Sequence, residues 1–247
     1  MIRSVLTALT HLSFKGVCEY LEDLVVRIDT PLLGSVHITF FNQLIFDIPQ
    51  LSRFVGRSKK LEGLDRADVQ FWDEARVEVF PWKIWRDGHR RLVLRISCTE
   101  ADWQLSAVTQ VCSFSLLSIP TVETLTIRNC QRWEQVNIEH SQWIELFYVL
   151  TTGRTLCLSE EVGLRVASAL QEITGETVTQ VLPALQVLFV QRLLPRGPTR
   201  EALDSFAAIR QRFGRPVAVR RWGKSIEQSL DSGGGERESY SEVNESK

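Results

Sequence analysis

A short motif of apolar residues at fixed offsets constrains the fold of this chain more than any other feature. Its clearest copy spans residues 120–130 and has apolar side chains at Val122, Leu125, Ile127 and Cys130. The alternation is that of a short strand with one buried face, and the thiol follows where the chain turns. One such strand buries too little apolar surface to be stable alone, so neighbouring copies must cover it.

The motif recurs along the chain at intervals of 24 to 33 residues. Three copies also share a leading proline, at Pro31, Pro120 and Pro183. The central residues of the copies are Leu12, Val36, Val69, Leu94, Leu125, Leu156, Leu188 and Val217. This is the pattern of the leucine-rich-repeat template. It predicts a mostly parallel ladder in which Leu12, Val36, Leu94, Leu125, Leu156 and Leu188 stack on one another.

Segments with helical periodicity separate the predicted strands. They cover residues 17–28, 49–55, 102–111, 160–174 and 201–213, with Ser159 and Thr199 as N-caps and Gly175 and Gly214 as C-caps. We therefore predict an α/β fold, a leucine-rich-repeat-like solenoid of irregular strand-turn-helix repeats over residues 1–222. Strands alternating with helices also describe a doubly wound sheet. The repeated motif favours the solenoid, as does the lack of G-x-G-x-x-G after a strand.

An inserted β-hairpin interrupts the repeats between residues 75 and 96. Two strand-like runs there are joined at Asp87-Gly88, a pair that favours a tight turn. Pro81 predicts that the first of these strands lies at a sheet edge or contains a bulge. Between the strands lies an aromatic and basic cluster that includes Trp82 and Trp85. For this cluster we favour a structural role or protein contact over binding of nucleic acid.

Composition excludes several classes of protein. The chain has 29 Lys and Arg against 30 Asp and Glu, so no overall charge favours nucleic acid or an anionic membrane. Its five cysteines are odd in number and lack a C-x-x-C pair, which argues against a disulfide framework and a zinc site. No signal-like or eighteen-residue apolar segment occurs in the sequence. We therefore expect a protein of the cytoplasm or nucleus that does not bind membranes.

The sequence contains none of the common catalytic motifs. G-x-S-x-G, H-E-x-x-H and the P-loop are absent, and the four histidines are far apart. We expect Cys98, Cys130 and Cys157 to be packed thiols and Trp103, Trp133 and Trp143 to lie in the core. The chain is therefore predicted to be no enzyme, with no catalytic residue, metal site or cofactor.

A binding surface is expected on the strand ladder, because residues between the buried positions face outward. The candidates are His37, Gln70, Arg95, Thr126 and Phe189. Phe189 stands out because an outward aromatic ring often marks a contact site. The alternative is recognition by Trp82 and Trp85 of the hairpin. Residues 223–247 have few apolar side chains and are predicted to be a disordered polar tail.

Several short segments resemble the leucine-rich-repeat portion of fungal F-box-like proteins from mushroom-forming basidiomycetes. They are Tyr20-Leu-Glu-Asp-Leu24, Arg27-Ile-Asp-Thr-Pro31-Leu-Leu, Ile38-Thr-Phe-Phe-Asn42-Gln, Ile45-Phe-Asp-Ile-Pro49-Gln-Leu, Ile96-Ser-Cys98, Asp102-Trp-Gln-Leu-Ser106 and Leu182-Pro-Ala-Leu-Gln186. The resemblance covers about residues 5 to 222.

The resemblance implies a protein-interaction module that selects the substrate of a ubiquitin ligase. In that family, an N-terminal F-box docks on the Skp adaptor of a cullin ligase. This sequence contains no F-box, so Skp and cullin are implied as partners only for a longer parent chain. The alternative is a stand-alone interaction scaffold, or a truncated gene product without ligase coupling.

Overall fold

The structure is a computed structural model that describes most of the chain. It covers residues 3–41, 43, 45–61, 65–72, 75–80, 91–97, 101–113, 122–129 and 138–222. The strands in these ranges are β1 (Ser4–Val5), β2 (His11–Gly16), β3 (Ile28–Asp29), β4 (Ser35–Phe41), β5 (Arg66–Phe71), β6 (Ala75–Phe80), β7 (Arg91–Ser97), β8 (Thr124–Asn129), β9 (Thr155–Leu158), β10 (Val187–Gln191) and β11 (Ala218–Trp222).

Helices follow most of these strands. They are α1 (Cys18–Arg27), α2 (Pro49–Arg57), α3 (Ala101–Val111), α4 (His140–Val149), α5 (Glu160–Gln171), α6 (Thr177–Gln180) and α7 (Pro198–Arg212). The α/β class is confirmed, and the sequence periodicity located α1, α2, α3, α5 and α7 to within a few residues. In the part of the chain that the structure describes, no helix combines the length and apolar composition needed to cross a bilayer.

Nine of the strands form one mixed sheet. Their order is β11-β10-β9-β8-β5-β6-β7-β4-β2, and β1 pairs separately with β3. Every neighbouring pair in the large sheet is parallel except the two pairs that β6 makes. Strands of this sheet that follow one another along the chain lie side by side except at two places, because β4 is next to β7 and not β5, and β8 is next to β5 and not β7.

The register confirms most of the predicted ladder and displaces three of the motif centres. Leu12 pairs with Val36, and Leu125 pairs with Leu156 and through it with Leu188. Val36 pairs with Leu92, however, whereas the predicted Leu94 pairs with Ile38. The centres Val69 and Val217 are displaced as well, because Leu125 pairs with Ala67 and Leu188 pairs with Val219. Each displacement equals two residues, because a two-residue slip keeps an apolar side chain on the same sheet face and leaves the motif unchanged.

The hairpin strands are confirmed, but the predicted edge position is wrong. Strand β6 runs antiparallel between β5 and β7, in the interior of the sheet. This interior position is compatible with the sequence because β6 ends at Phe80, one residue before Pro81. The turn at Asp87-Gly88, together with Pro81, Trp82 and Trp85, lies outside the described residues.

One face of the sheet packs against the helices. The apolar cluster combines alternate strand residues such as Val36, Leu94 and Leu156 with helical residues such as Leu21 and Phe206. Trp143 lies in this core as predicted and is fully buried, but Trp103 is 50% exposed, so its predicted burial is wrong. Trp133 lies outside the described residues.

The predicted helix ends are only partly correct. Gly175 and Gly214 have φ angles of +62° and +72°, as expected for glycines that end helices. Helix α7 begins earlier than predicted, with Gly197 as its N-cap and Pro198 as its first residue, so Thr199 lies inside it. Ser159 holds the N-cap position of α5, but its hydroxyl accepts a hydrogen bond from the Asn129 N–H of β8. That serine therefore ties a helix start to the end of a neighbouring strand.

Candidate functional site: the open face of the sheet

The sheet has a second face, which the helical core does not include. Alternate strand residues project to it because side chains in a strand alternate in direction. The apolar cluster that contains the helices takes its strand residues from the opposite face. We call this second surface, formed by the outward positions of β2 and β4 to β11, the open face.

All five predicted ladder residues lie on the open face. His37, Thr126 and Phe189 occupy one row of laterally paired positions: Ser13, His37, Val93, Glu78, Asp68, Thr126, Cys157, Phe189 and Arg220. Gln70 and Arg95 belong to the next row, with Lys15, Thr39, Arg76 and Arg128. His37 and Phe189 are six strands apart, about 29 Å at the usual strand spacing.

The five candidates differ in how far they reach solvent. Arg95 is exposed, and His37, Gln70 and Phe189 are half-buried. Thr126 is only 2% exposed. Its outward position was predicted correctly, but its side chain offers almost no surface to a partner. Trp82 and Trp85, the alternative candidates, lie outside the described residues.

A polar cluster occupies the centre of the open face, around the buried carboxylate of Asp68. Gln70 Nε2 donates to Asp68 Oδ2 at 3.1 Å, and Arg128 Nε lies 3.6 Å from the same oxygen. The Arg128 guanidinium also lies 5.7 Å from the centre of the Trp222 ring. Sequence reasoning missed Asp68, Arg128 and Trp222, because strand alternation marks them as outward but does not distinguish them from solvated residues.

The open face is basic although the whole chain is nearly neutral. By register, its basic positions are Lys15, Arg66, Arg76, Arg95, Arg128 and Arg220. Among the residues whose side chains the structure describes, its acidic position is Asp68. The full sequence holds 29 basic and 30 acidic residues, so the fold has sorted the charges between surfaces. A surface with this excess attracts acidic partners.

Cys157 lies in the same row as Thr126 and is 2% exposed. Burial raises the pKa of its thiol to about 12, although the nearby Arg66 and Arg128 act in the opposite direction. The thiol is therefore protonated at neutral pH and a poor nucleophile. Burial also raises the pKa of Cys112. Cys157 is thus a packed thiol, as predicted, while Cys98 and Cys130 lie outside the described residues.

The N-terminal end of the open face carries two histidines. The His11 and His37 rings meet edge to face, with 4.8 Å between their centroids. Within the described ranges, no three side chains of the metal-binding types come close enough together to hold a metal ion.

A pocket of about 100 Å³ adjoins the open face at Gln191, the last residue of β10. Arg192 and Gly197, in the loop that forms its wall, have positive φ angles of +52° and +127°. Its lining includes two exposed leucines and three arginines: Leu164, Leu194, Arg192, Arg196 and Arg200. Glu160 also lines it and pairs with Arg192, and Arg200 pairs with Asp204, so the pocket mainly adds apolar contacts beside the open face.

The comparisons with known proteins identify no relative from which a site could be inferred. No family model matches this chain, and no curated protein or solved structure matches it either.

Proposed function

We propose that this chain is a protein-interaction module that binds an acidic segment of a partner across its open face. The observation that carries the proposal is the charge of that face, where six basic positions oppose one acidic position among the described side chains. Half-buried Phe189 supplies an aromatic anchor within the surface. The adjoining pocket supplies two leucines for apolar side chains of the partner.

The fold supports the same proposal, because we infer that it is a leucine-rich-repeat-like solenoid. Most sequential strands lie side by side, the exceptions being β4 and β5 and β7 and β8, and one apolar cluster joins all the large helices to one sheet face. A doubly wound sheet would carry helices on both faces. An extended strand surface is the feature that repeat proteins use to bind partners over several repeats. Val93, Asp68, Thr126 and Cys157 on this face are buried, so a partner would contact the more exposed positions around them.

We further propose that the bound segment is the substrate of an F-box-type ubiquitin ligase, with this chain as the recognition part. The support is the sequence resemblance over residues 5 to 222. A stand-alone scaffold is the competing proposal. The test is to express the chain fused to an F-box and to assay recovery of Skp and cullin together with an acidic target. Turnover of that target only with the fusion supports the ligase role, whereas binding without turnover supports the scaffold.

Binding itself is tested with an array of peptides of graded charge. We expect acidic peptides that contain an aromatic or aliphatic residue to bind, and basic peptides not to bind. Arg95→Glu reverses an exposed charge on the open face, and Arg212→Glu makes the same change at an exposed position of helix α7. The proposal requires Arg95→Glu to weaken binding and Arg212→Glu to leave it unchanged.

Nucleic acid is the competing ligand for a basic surface. We favour a protein partner because the adjoining pocket offers the exposed Leu164 and Leu194 to apolar side chains, which a phosphate backbone lacks. Single-stranded oligonucleotides are added to the same assay as competitors. Tight oligonucleotide binding that Arg95→Glu abolishes, with no acidic peptide bound, would replace the proposal by nucleic-acid recognition.

A further inference from the structure

The two edges of the large sheet are chemically different. At one edge, the inward positions of β11 are Val219 and Arg221, and Arg221 is exposed. A charge at an inward position of an edge strand prevents another strand from adding there. At the other edge, the inward positions of β2 are the apolar Leu12 and Phe14. The edge at β2 therefore lacks the inward charge that protects β11.

The apolar core is incompletely covered at β2. Leu12 and Phe14 are only partly buried, whereas their neighbours Val36 and Ile38 on β4 are 0% and 1% exposed. Helix α1 extends this uncovered surface with Tyr20 and Leu24, which are 70% and 36% exposed. Terminal units of stacked folds need cover over their outer side.

Tyr20 and Leu24 face the free end of the sheet. Glu22 on the same helix accepts hydrogen bonds from α2, so its side of α1 faces the next helix. At about 100° per residue, Tyr20 and Leu24 lie about 160° from Glu22 around the helix axis. They therefore point away from α2, beside the edge strand.

The backbone of β2 presents hydrogen-bonding groups at this edge. The Thr10 carbonyl accepts hydrogen bonds from the N–H groups of Gly34 and Ser35, so the even residues of β2 face β4. The N–H and C=O groups of His11, Ser13 and Lys15 consequently face away from the sheet. No described residue pairs with them, and β2 ends the strand order.

We propose that a second copy of this chain covers the edge, with the two β2 strands pairing antiparallel about Ser13. Pairing about Ser13 matches His11 with Lys15 and Leu12 with Phe14 of the other copy. All outward-facing backbone groups of His11, Ser13 and Lys15 then exchange hydrogen bonds, and the helices of both copies lie on one face. The inward apolar residues of the two copies form one continuous core.

Charge on α1 favours the same two-fold arrangement. The proposed two-fold axis passes through Ser13, which lies four residues, or about 13 Å of strand, before Val17. Helix α1 runs back in the opposite direction and needs about nine residues to cover the same distance. The two-fold axis therefore passes α1 near Val26, between Asp23 and Arg27. These two residues are 78% and 67% exposed and form an ion pair of 3.9 Å within one chain. The symmetry brings Asp23 of each copy towards Arg27 of the other, so the four charges alternate across the axis. The surface is thus complementary to itself, and the charged β11 edge stops further growth.

Sedimentation equilibrium of the full chain over a range of concentrations tests the proposal. We expect a dimer for the parent chain and for Val219→Pro, which removes an N–H that faces solvent at the β11 edge. Ser13→Pro removes the corresponding N–H at the β2 edge and no bond to β4. It should weaken association at least about tenfold. Ser13→Asp should weaken it similarly, because it sets two like charges opposite each other at the axis.

A cross-linking experiment decides the question if the proline variant fails to fold. Paired residues at the axis lie about 5.5 Å apart between Cα atoms, within disulfide range. Ser13→Cys should therefore form a covalent dimer on mild oxidation, and Ser205→Cys, an exposed serine of α7, should not. A parent chain that is monomeric up to about 100 µM would overturn the proposal, as would a dimer that Ser13→Asp leaves intact. Growth into open polymers would overturn it as well.

Discussion

At the scale of single residues, the most consequential side chain is the fully buried Arg210 of α7. Its guanidinium donates hydrogen bonds to backbone carbonyls of the segment before β10 and of the turn after α7. The acceptors are Val178, Val181, Leu182, Pro183, Leu185 and Arg215. One side chain thus holds an irregular segment that has few ladder bonds of its own.

Replacing Arg210 by Met is expected to lower the free energy of unfolding by about 3 kcal/mol, because buried carbonyls lose their donors. Arg212→Met, at an exposed position of the same helix, should change it by less than about 0.5 kcal/mol. Urea denaturation followed by circular dichroism measures both. Equal effects of the two substitutions would show that the carbonyls find other partners.

Glu22 links two helices in a similar way. Its carboxylate accepts hydrogen bonds of 2.7 Å from the N–H groups of Gln50 and Leu51 at the start of α2, whose N-cap residue has no side-chain cap. Burial raises the pKa of Glu22 above its ordinary value of 4.5, and these two hydrogen bonds only partly oppose the shift. The folded state therefore keeps the proton to a higher pH than the unfolded chain does.

This shift fixes the sign of a pH effect. Between 4.5 and the raised pKa, ionisation of Glu22 costs folded-state stability, so its contribution falls as pH rises and then levels off. The free energy of unfolding of the parent minus that of Glu22→Gln should therefore decrease across this window. Urea titrations at a series of pH values measure the difference. A difference that grows with pH would mean that the hydrogen bonds outweigh desolvation.

At the scale of elements, the strand pairing rests on inward residues such as Leu125, which is 4% exposed. It pairs with Leu156 on one side and Ala67 on the other. Leu125→Ala is expected to cost about 2 to 5 kcal/mol, the usual range for a buried leucine. Leu164→Ala, at a 51% exposed position of α5, is the control and should cost less than about 0.5 kcal/mol. A small loss at Leu125 would contradict the register.

At the scale of the whole molecule, the prediction concerns how binding energy is distributed. A partner that spans the open face touches several strands, so His37→Ala should weaken binding little, whereas Phe189→Ala should weaken it about tenfold or more. Arg95→Ala should mainly reduce the association rate and its salt dependence. Surface plasmon resonance at two salt concentrations separates these effects. Equal losses at all three positions would indicate a diffuse contact without an anchor.

The sequence by itself determined the alternation of strands and helices and the face on which each strand residue lies. Apolar periodicity carries that information, because burial of one face is the main requirement on each element. It therefore located α1 and α5, the two hairpin strands and the outward positions of His37 and Phe189. It could not detect a two-residue slip, which is why Leu94 was placed where Leu92 lies.

Only the tertiary structure decided which outward residues meet and what charge they share. Strand β6 lies between β5 and β7, and the lateral pairing of the strands places arginines from separate parts of the chain on one face. Arg210 depends on tertiary structure in the same way, since its partners lie 25 to 32 residues earlier in the chain, apart from Arg215. The physical reason is that a charged residue is expected to be exposed to solvent unless the residues that surround it in the fold are known.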